Sequence, residues 1–300
     1  MRREIHASIA LECDKPHETY QHIASLMDDS GFYSLQLYEH TPYRPAWAII
    51  FSLNVRSLKT GPVTVPARLY RPALLARYLA YLQSRPGGAV LGISRGAYMG
   101  GERAEIGEVV ETVEKVVEHL KMISWAPSFT PEIYVGTSGP KLVKTAASSP
   151  HVRAIVVDNL ANPRYAAMVR SWMDEAGRPD MPLIARPFTS ISDDPRKAAD
   201  HVLGELRKYL PDLVGPSPML EAAGLTLESL SAIDDEVGGR LLENFAVYGS
   251  VEDVLDKLAK LVKAGVSHIC LGHPLGADPV KAVQLIRDKI LPYIKDETHT

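Results

Sequence analysis

Short apolar runs alternate with amphipathic segments along almost the whole chain. A run such as Gly88–Ser94 predicts a buried strand, whereas the segment after Pro72 repeats its apolar residues at helical spacing. We expect strands over residues 4–11, 32–38, 57–65, 88–94, 132–138, 152–160, 182–191 and 267–272. Strands that alternate with helices in this way predict an α/β fold, specifically a (β/α)8 TIM barrel of parallel strands. The second possibility is an open, doubly wound sheet.

The predicted helices follow the strands in turn. They cover residues 16–30, 46–55, 72–84, 102–124, 164–176, 195–210, 250–264 and 279–293, with a further helix that begins at Pro140. Proline at the first position favours several of these helices, and Ser250 with Asp253 has the spacing of a capping box.

Residues 211–246 break the alternation. They form an insertion between the seventh and eighth strands, with irregular ends and short helices. We expect this insertion to cover the barrel mouth and shape the substrate pocket. Because no linker or low-complexity segment interrupts the rest, residues 1–300 are expected to form a single barrel domain.

Composition narrows the class of protein. Hydrophobic residues make up 46% of the chain, charged residues 23%, and the net charge is −3. No basic field predicts binding to nucleic acid or to a membrane surface. Cys13 and Cys270 lie far apart, so neither a disulfide scaffold nor a C-x-x-C motif is present. No apolar run approaches the roughly 18 residues of a membrane span, and we do not expect the short, interrupted apolar run near the N-terminus to be a signal peptide. We expect a cytoplasmic protein.

The chemistry of such a barrel lies at the C-terminal ends of its strands. The residues at these predicted ends are Glu12, Cys13, Glu39, His40, Thr64, Val65, Arg68, Ser94, Arg95, Gly96, Gly136, Thr137, Ser138, Gly139, Asp158, Asn159, Arg186, Gly272 and His273. Many are small, which lets the backbone approach a large flat ligand, and the arginines suit a phosphate or carboxylate.

Several common chemistries do not fit these strand ends. "GTSGP" has Pro140 where the nucleophile motif G-x-S-x-G has its last glycine, so that motif is absent. The same segment with Lys141, "GTSGPK", does not have the spacing of a phosphate-binding P-loop. No lysine at a strand end offers a Schiff base. His268 and Cys270 alternate along one face, but His273 is out of phase with them, so we expect no metal. A site that holds a cofactor without a nucleophile is typical of hydride transfer.

Four segments resemble one known family. "VLGISRGAYMGG", "EIYVGTSGPKLVKTAA", "LQLYEHTPY" and "TGPVTVPARLYRPALLA" resemble, in order and spacing, segments of the luciferase-like flavin and deazaflavin barrels. The segment from "PMLEAAGL" to "SHICLGHPLG" resembles the insertion and closing strand–helix unit of that family. The resemblance covers nearly the whole chain. It is greatest to the branch that contains methylenetetrahydromethanopterin reductase, which uses the deazaflavin coenzyme F-420.

The resemblance implies roles for particular residues. His40 and Glu39 would lie beside the cofactor ring as candidate catalytic residues, with Glu12 as a third. Val63 and Thr64 would pass behind the ring, in a stretch where the family often has an unusual cis peptide. The remaining implied cofactor-binding residues are Ser94, Arg95, Gly96, Gly136, Thr137, Ser138, Gly139, Asp158, Asn159 and Arg186. Of these, Gly136, Thr137 and Ser138 would follow the ribityl chain, and an arginine such as Arg186 would anchor the anionic tail.

The chain also departs from the family pattern. Ser94 replaces a glycine, and Ala97 replaces an acidic residue that handles a proton in sugar-phosphate dehydrogenase relatives, so that activity is not expected. The sixth strand, "VRAIVVDN", lacks the usual glycine near the phosphate subsite.

The resemblance implies an oxidoreductase that transfers hydride between coenzyme F-420 and a small organic substrate. One alternative is an FMN-dependent monooxygenase supplied by a separate flavin reductase. A further alternative is a non-catalytic flavin-binding relative. By analogy, we expect a homodimer or a larger homo-oligomer.

Overall fold

The computed structural model describes residues 5–40, 42–97, 102–213 and 218–296. Its strands are β1 His6–Leu11, β2 Ser34–Leu37, β3 Lys59–Pro62, β4 Val65–Pro66, β5 Leu91–Ser94, β6 Ile133–Gly136, β7 Ala154–Asp158, β8 Leu183–Arg186, β9 Phe188–Ile191, β10 Ala246–Gly249 and β11 His268–Leu275. The barrel strands are parallel and run in the order β3-β2-β1-β11-β8-β7-β6-β5-β4. Because β3 and β4 are consecutive halves of one barrel strand, this order closes the ring. The predicted TIM barrel is confirmed.

Helices connect and surround these strands. They are α1 His17–Met27, α2 Ala46–Ser52, α3 Pro72–Gln83, α4 Ile106–Lys121, α5 Pro140–Ser148, α6 Pro163–Glu175, α7 Pro195–Leu213, α8 Pro218–Ala222, α9 Asp235–Phe245, α10 Val251–Lys263, α11 Pro279–Leu285 and α12 Leu291–Asp296. A short 3-10 turn spans Glu228–Ser231, and a π-helical turn joins α11 to α12. The predicted capping box forms at α10, where Ser250 and Asp253 exchange hydrogen bonds. None of the helices in the described ranges has the length and apolar content needed to cross a membrane.

Two predicted strands are each divided in the structure. The run over 57–65 is interrupted at Val63 and Thr64, which are joined by a cis peptide bond. The prediction of one strand over 182–191 was wrong. Pro187 separates β8 from β9, because it has no N–H to donate to a strand ladder. β9 leaves the barrel and pairs with β10 and the second half of β11.

The insertion contains one element that the sequence pattern missed. β10 begins at Ala246, at the end of the predicted insertion, and returns the chain to β9. Residues 214–217 of the insertion lie outside the described residues. Pro218, Met219, Leu220 and Phe245 line the cavity described below. That the insertion covers the whole mouth stays a prediction.

A separate small core fills the inside of the barrel. Its buried members include Ala10, Val90, Tyr134, Ile184 and Cys270. The larger apolar core lies between the strands and the surrounding helices. The ring interior is therefore packed, and open space is found at the C-terminal ends of the strands.

Polar side chains complete the lower part of the barrel interior. Ser8 Oγ lies 2.8 Å from Ser34 Oγ and 2.7 Å from His268 Nε2. Cys270 Sγ donates to Gln36 Oε1 over 3.4 Å. Burial, together with the nearby His6 and Lys59, lowers the pKa of His268 to about 3. His268 and Cys270 thus belong to a buried network inside the ring, away from the strand ends.

Candidate active site

A cavity of about 510 Å³ lies at the C-terminal ends of the barrel strands. Most of the residues to which the sequence assigned catalytic or cofactor-binding roles line it. They are Glu12, Glu39, His40, Thr64, Ser94, Arg95, Gly96, Gly136, Thr137, Ser138, Gly139, Asp158 and Asn159. Of the residues with assigned roles, Val63 and Arg186 do not line it. The strand-end rule therefore brings these predicted residues together around one cavity.

Small residues bring three neighbouring strands close together in this wall. A Cβ atom on Gly136 would lie only 2.5 Å from Thr64 Cγ2, so no larger residue fits there without movement. Thr64 Oγ1 donates to Ser94 Oγ over 3.0 Å. Gly96 follows with a φ of 85°, a conformation that favours glycine. The result is a close-packed surface of backbone and small side chains.

Glu12 and His40 form a pair on the opposite side of the cavity. Glu12 Oε2 lies 3.0 Å from His40 Nδ1, and the Glu12 side chain is almost fully buried. The two residues follow the neighbouring strands β1 and β2, which places their side chains together. A carboxylate at this distance orients the imidazole ring.

Glu39 has a structural contact that the sequence did not predict. Its Oε2 accepts a hydrogen bond of 2.9 Å from the N–H of Ala46, at the start of α2. Burial raises the pKa of Glu39, although the hydrogen bonds from Ala46 and Tyr70 act in the opposite direction. Glu39 therefore lines the cavity and also holds the first turn of α2.

Arg186 lies behind the cavity wall. Its guanidinium is fully buried and donates to the carboxylate of Asp158 and to the carbonyl of Val63. It also stacks 4.3 Å from the centre of the Tyr38 ring. Arg186 thus joins three parts of the barrel beneath the wall, and its role in binding an anionic tail stays a prediction.

The loops after β5 and β6 carry cations that line the cavity. Arg103 and Lys141 join the predicted Arg95 there. Burial and the charge of Arg95 lower the pKa of Arg103, which indicates that the two guanidinium groups lie near each other. Such a group of cations suits an anion. Lys141 could have been found from the sequence, because it directly follows "GTSGP", but Arg103 lies well beyond its strand.

The far side of the cavity is apolar and aromatic. It consists of Phe188, Tyr209, Leu210, Met219, Leu220 and Phe245. Tyr209 is fixed by a 2.6 Å hydrogen bond between its hydroxyl and that of Tyr43. Most of these residues come from helices and from the insertion, so a rule based on strand ends could not find them. His273, considered in the sequence only as a metal ligand, also lines this side.

The described residues offer no metal centre. Within these ranges, no group of three or more His, Cys, Asp or Glu side chains is arranged to hold a metal ion.

Comparison with known proteins adds to this geometry. A model of the luciferase-like monooxygenase family matches residues 6–268. The chain belongs to this family. The 5,10-methylenetetrahydromethanopterin reductase of Archaeoglobus fulgidus, a similar protein, is 27% identical over an alignment that covers 94% of this chain and 97% of that protein.

Two solved structures share the luciferase-like fold over nearly their whole length. The coenzyme F-420-dependent tetrahydromethanopterin reductase of Methanopyrus kandleri matches with a TM-score of 0.80 and 21% identity, covering 97% of this chain and 100% of that chain. An F-420-dependent secondary alcohol dehydrogenase matches with a TM-score of 0.72 and 16% identity, covering 98% of this chain and 100% of that one.

Proposed function

We propose that this chain is an oxidoreductase that binds coenzyme F-420 and transfers hydride between that deazaflavin and a small organic substrate. The observation that carries the proposal is the cavity itself. One wall of small residues at Thr64 and Gly136 leads to the cations Arg95 and Arg103, and the Glu12–His40 pair lies opposite. The near full-length similarity to the reductase from Archaeoglobus fulgidus supports the same cofactor.

The described residues fit such a cofactor in two ways. Gly136 lets Thr64 pack directly against β6, since a Cβ atom there would lie 2.5 Å from Thr64 Cγ2, and the resulting wall of small side chains offers a surface on which a flat ring would lie. In the segments that follow β5 and β6, Arg95, Arg103 and Lys141 would hold the phosphate and carboxylate groups of the coenzyme tail. When bound, the deazaflavin supplies or accepts the hydride.

The protein would handle the proton. Hydride addition to the carbon of a C=N bond leaves that bond's electron pair on nitrogen, which then needs a proton. His40 is the side chain that we assign to donate it, and Glu12 holds the imidazole through Nδ1. The reverse reaction returns the proton to His40. The aromatic side with Phe188 and Tyr209 would pack against a ring system of the substrate, and methylenetetrahydromethanopterin, for which the similar reductase is named, is the first candidate.

Titration of the purified chain with F-420 and, separately, with FMN tests the cofactor. We expect micromolar binding of F-420, observed by fluorescence, and much weaker binding of FMN. Arg103→Gln and Lys141→Gln should each weaken F-420 binding by roughly ten- to a hundredfold, because each removes a charge-assisted hydrogen bond. Lys144→Gln is the matched control, since Lys144 lies one turn along α5 and pairs with Glu175 at the surface.

Three results would redirect the proposal. Preference for FMN would favour the monooxygenase alternative, which requires a separate reductase. Tight F-420 binding without reduction of methylenetetrahydromethanopterin or any related C=N compound would favour a non-catalytic flavin-binding protein. Absence of binding to either flavin would contradict the proposed function and the two alternatives alike. The expected homo-oligomer and cytoplasmic location remain predictions, and sedimentation analysis of the purified chain tests the first.

A further inference from the structure

Ser94, the last residue of β5, points its side chain into the active-site cavity. Ile93 before it packs in the larger core outside the strands, while a Cβ atom on Gly92 would meet Val63 in the small core inside the ring. Because successive side chains of a strand point to opposite faces, Ser94 shares the inward face with Gly92. Ser94 is half-buried and lines the cavity. The family pattern has a glycine at this position.

The neighbouring Thr64 is held in one orientation by two glycines. A Cβ atom on Gly92 would lie 3.0 Å from Thr64 Cγ2, and one on Gly136 would lie 2.5 Å from it, so both glycines leave room for the same methyl group. A β-branched side chain has few χ1 rotamers, and fixing the methyl group also fixes the hydroxyl. That hydroxyl is turned toward Ser94, and Thr64 Oγ1 donates to Ser94 Oγ over 3.0 Å.

This hydrogen bond leaves the proton of the Ser94 hydroxyl for another acceptor. Within the described ranges, Ser94 Oγ takes part in this one hydrogen bond and is the acceptor in it. A serine hydroxyl can accept and donate at the same time, and a hydroxyl that already accepts a bond is a somewhat stronger donor. Since the side chain faces the cavity, the proton is directed to a molecule that lies there.

The residues beside Ser94 indicate which part of a ligand it meets. Under the proposed function, a flat ring lies on the wall at Thr64 and Gly136, and Arg95 holds the anionic tail. Ser94 lies between these groups, next to the point at which the tail joins the ring. In deazaflavins and flavins alike, that point adjoins the pyrimidinedione ring, whose carbonyl oxygens accept hydrogen bonds.

We propose that the Ser94 hydroxyl donates a hydrogen bond to a carbonyl oxygen of the pyrimidinedione ring of the bound cofactor, and that Thr64 orients this hydroxyl. The position of the ring rests on the proposed function. The donor itself does not depend on the choice between F-420 and FMN, because both carry the pyrimidinedione. Ser94 thus adds a side-chain contact where a glycine would offer only its backbone.

Infrared difference spectroscopy of F-420 bound to the purified chain tests this contact. Ser94→Ala removes the hydroxyl, so we expect a carbonyl stretching band of bound F-420 to move to higher frequency and F-420 affinity to fall by roughly three- to tenfold. Thr64→Val keeps the shape of the wall but not the donor to Ser94, and should move the same band less. Ser148→Ala is the control, because Ser148 is exposed on α5 and its Oγ donates to the carbonyl of Lys144.

Two outcomes with F-420 bound would overturn the proposal. One is an unshifted set of carbonyl bands in Ser94→Ala, and the other is a loss of affinity without a shift, which would place the donor at a ribityl hydroxyl. Ser94→Gly, which carries the residue of the family pattern, keeps the test decisive if Ser94→Ala does not fold.

The same spectra with FMN separate this proposal from the proposed function. Binding of FMN and not of F-420, with a carbonyl shift in Ser94→Ala, would reject the proposed function alone. Binding of F-420 with unshifted bands would reject the Ser94 contact alone, and absence of binding to either flavin would reject both.

Discussion

The Arg186 guanidinium donates a hydrogen bond to the main-chain carbonyl of Val63, although the two residues are 123 positions apart in the chain. The same guanidinium binds Asp158, which lines the active-site cavity. Val63 precedes Thr64, which packs against Gly136 in the small-residue wall. The position of that wall therefore depends on a cation that does not itself line the cavity.

Replacing Arg186 should affect both stability and cofactor binding. Arg186→Met leaves the Val63 carbonyl without its donor and Asp158 without its cation, and we expect a loss of about 2–4 kcal/mol in the free energy of unfolding. Arg186→Lys should recover part of that loss but not the binding of F-420, because an ammonium group cannot hold both partners in a planar fork. Urea unfolding and F-420 titration measure the two effects. Full recovery of F-420 affinity by lysine would contradict this role.

The Glu12–His40 pair should be needed for turnover and not for cofactor binding. His40→Gln removes the assigned proton donor, so we expect kcat to fall by roughly 10²- to 10⁴-fold. Glu12→Gln leaves the imidazole in place without its carboxylate, and should lower kcat less than His40→Gln does. Steady-state kinetics across pH measure both. Equal kcat values for His40→Gln and the wild type would refute the assignment.

Gly136 and Gly139 offer a matched comparison within one wall. A Cβ on Gly136 would meet Thr64 at 2.5 Å, whereas a Cβ on Gly139 would meet nothing within 4 Å. We expect Gly136→Ala to lower the free energy of unfolding by about 1–3 kcal/mol through overpacking, and Gly139→Ala to change it by less than about 1 kcal/mol. Thermal unfolding distinguishes them. Similar losses of stability in both variants would show that Thr64 moves away from the added methyl group at little cost, which would contradict overpacking.

Glu39 and Glu205 should give opposite dependences of stability on pH. Burial raises the pKa of Glu39 above 4.5, so its stabilising contribution is complete below pH 4.5 and is lost as pH rises through the raised value. The hydrogen bond from His273 lowers the pKa of Glu205, so its contribution is present above pH 4.5 and is lost as pH falls through the lowered value.

Two glutamine variants measure this difference. From about pH 3.5 to about pH 7, Glu39→Gln should gain in Tm relative to the wild type, while Glu205→Gln should lose. In Glu39→Gln, the oxygen of the new side-chain amide can still accept from the N–H of Ala46, which isolates the effect of the charge. Parallel pH profiles for the two variants would contradict the opposite shifts.

The barrel and one wall of its site could be predicted because both follow from local pattern. Apolar runs mark the strands, and residues such as His40 and Ser94 come at their ends. Other features depend on distant partners. The role of Arg186 is decided by the carbonyl of Val63, and Tyr209 reaches the cavity from a helix with no strand-end signal. Pro187 marks the break between β8 and β9 in the sequence, but the apolar residues before and after it favoured the prediction of one continuous strand.

Strand β10 returns the chain to β9 after the insertion through main-chain pairing from Ala246↔Phe188 to Gly249↔Ile191. Hydrogen bonds between backbones do not depend on which side chains the strands carry. The residues between these two strands that line the cavity can therefore differ while the pairing of β9 with β10 stays the same. The opposite wall has no such freedom, since Gly136 and Thr64 are fixed by contact. The same barrel can thus change the lining of one side of the cavity while the opposite wall is kept.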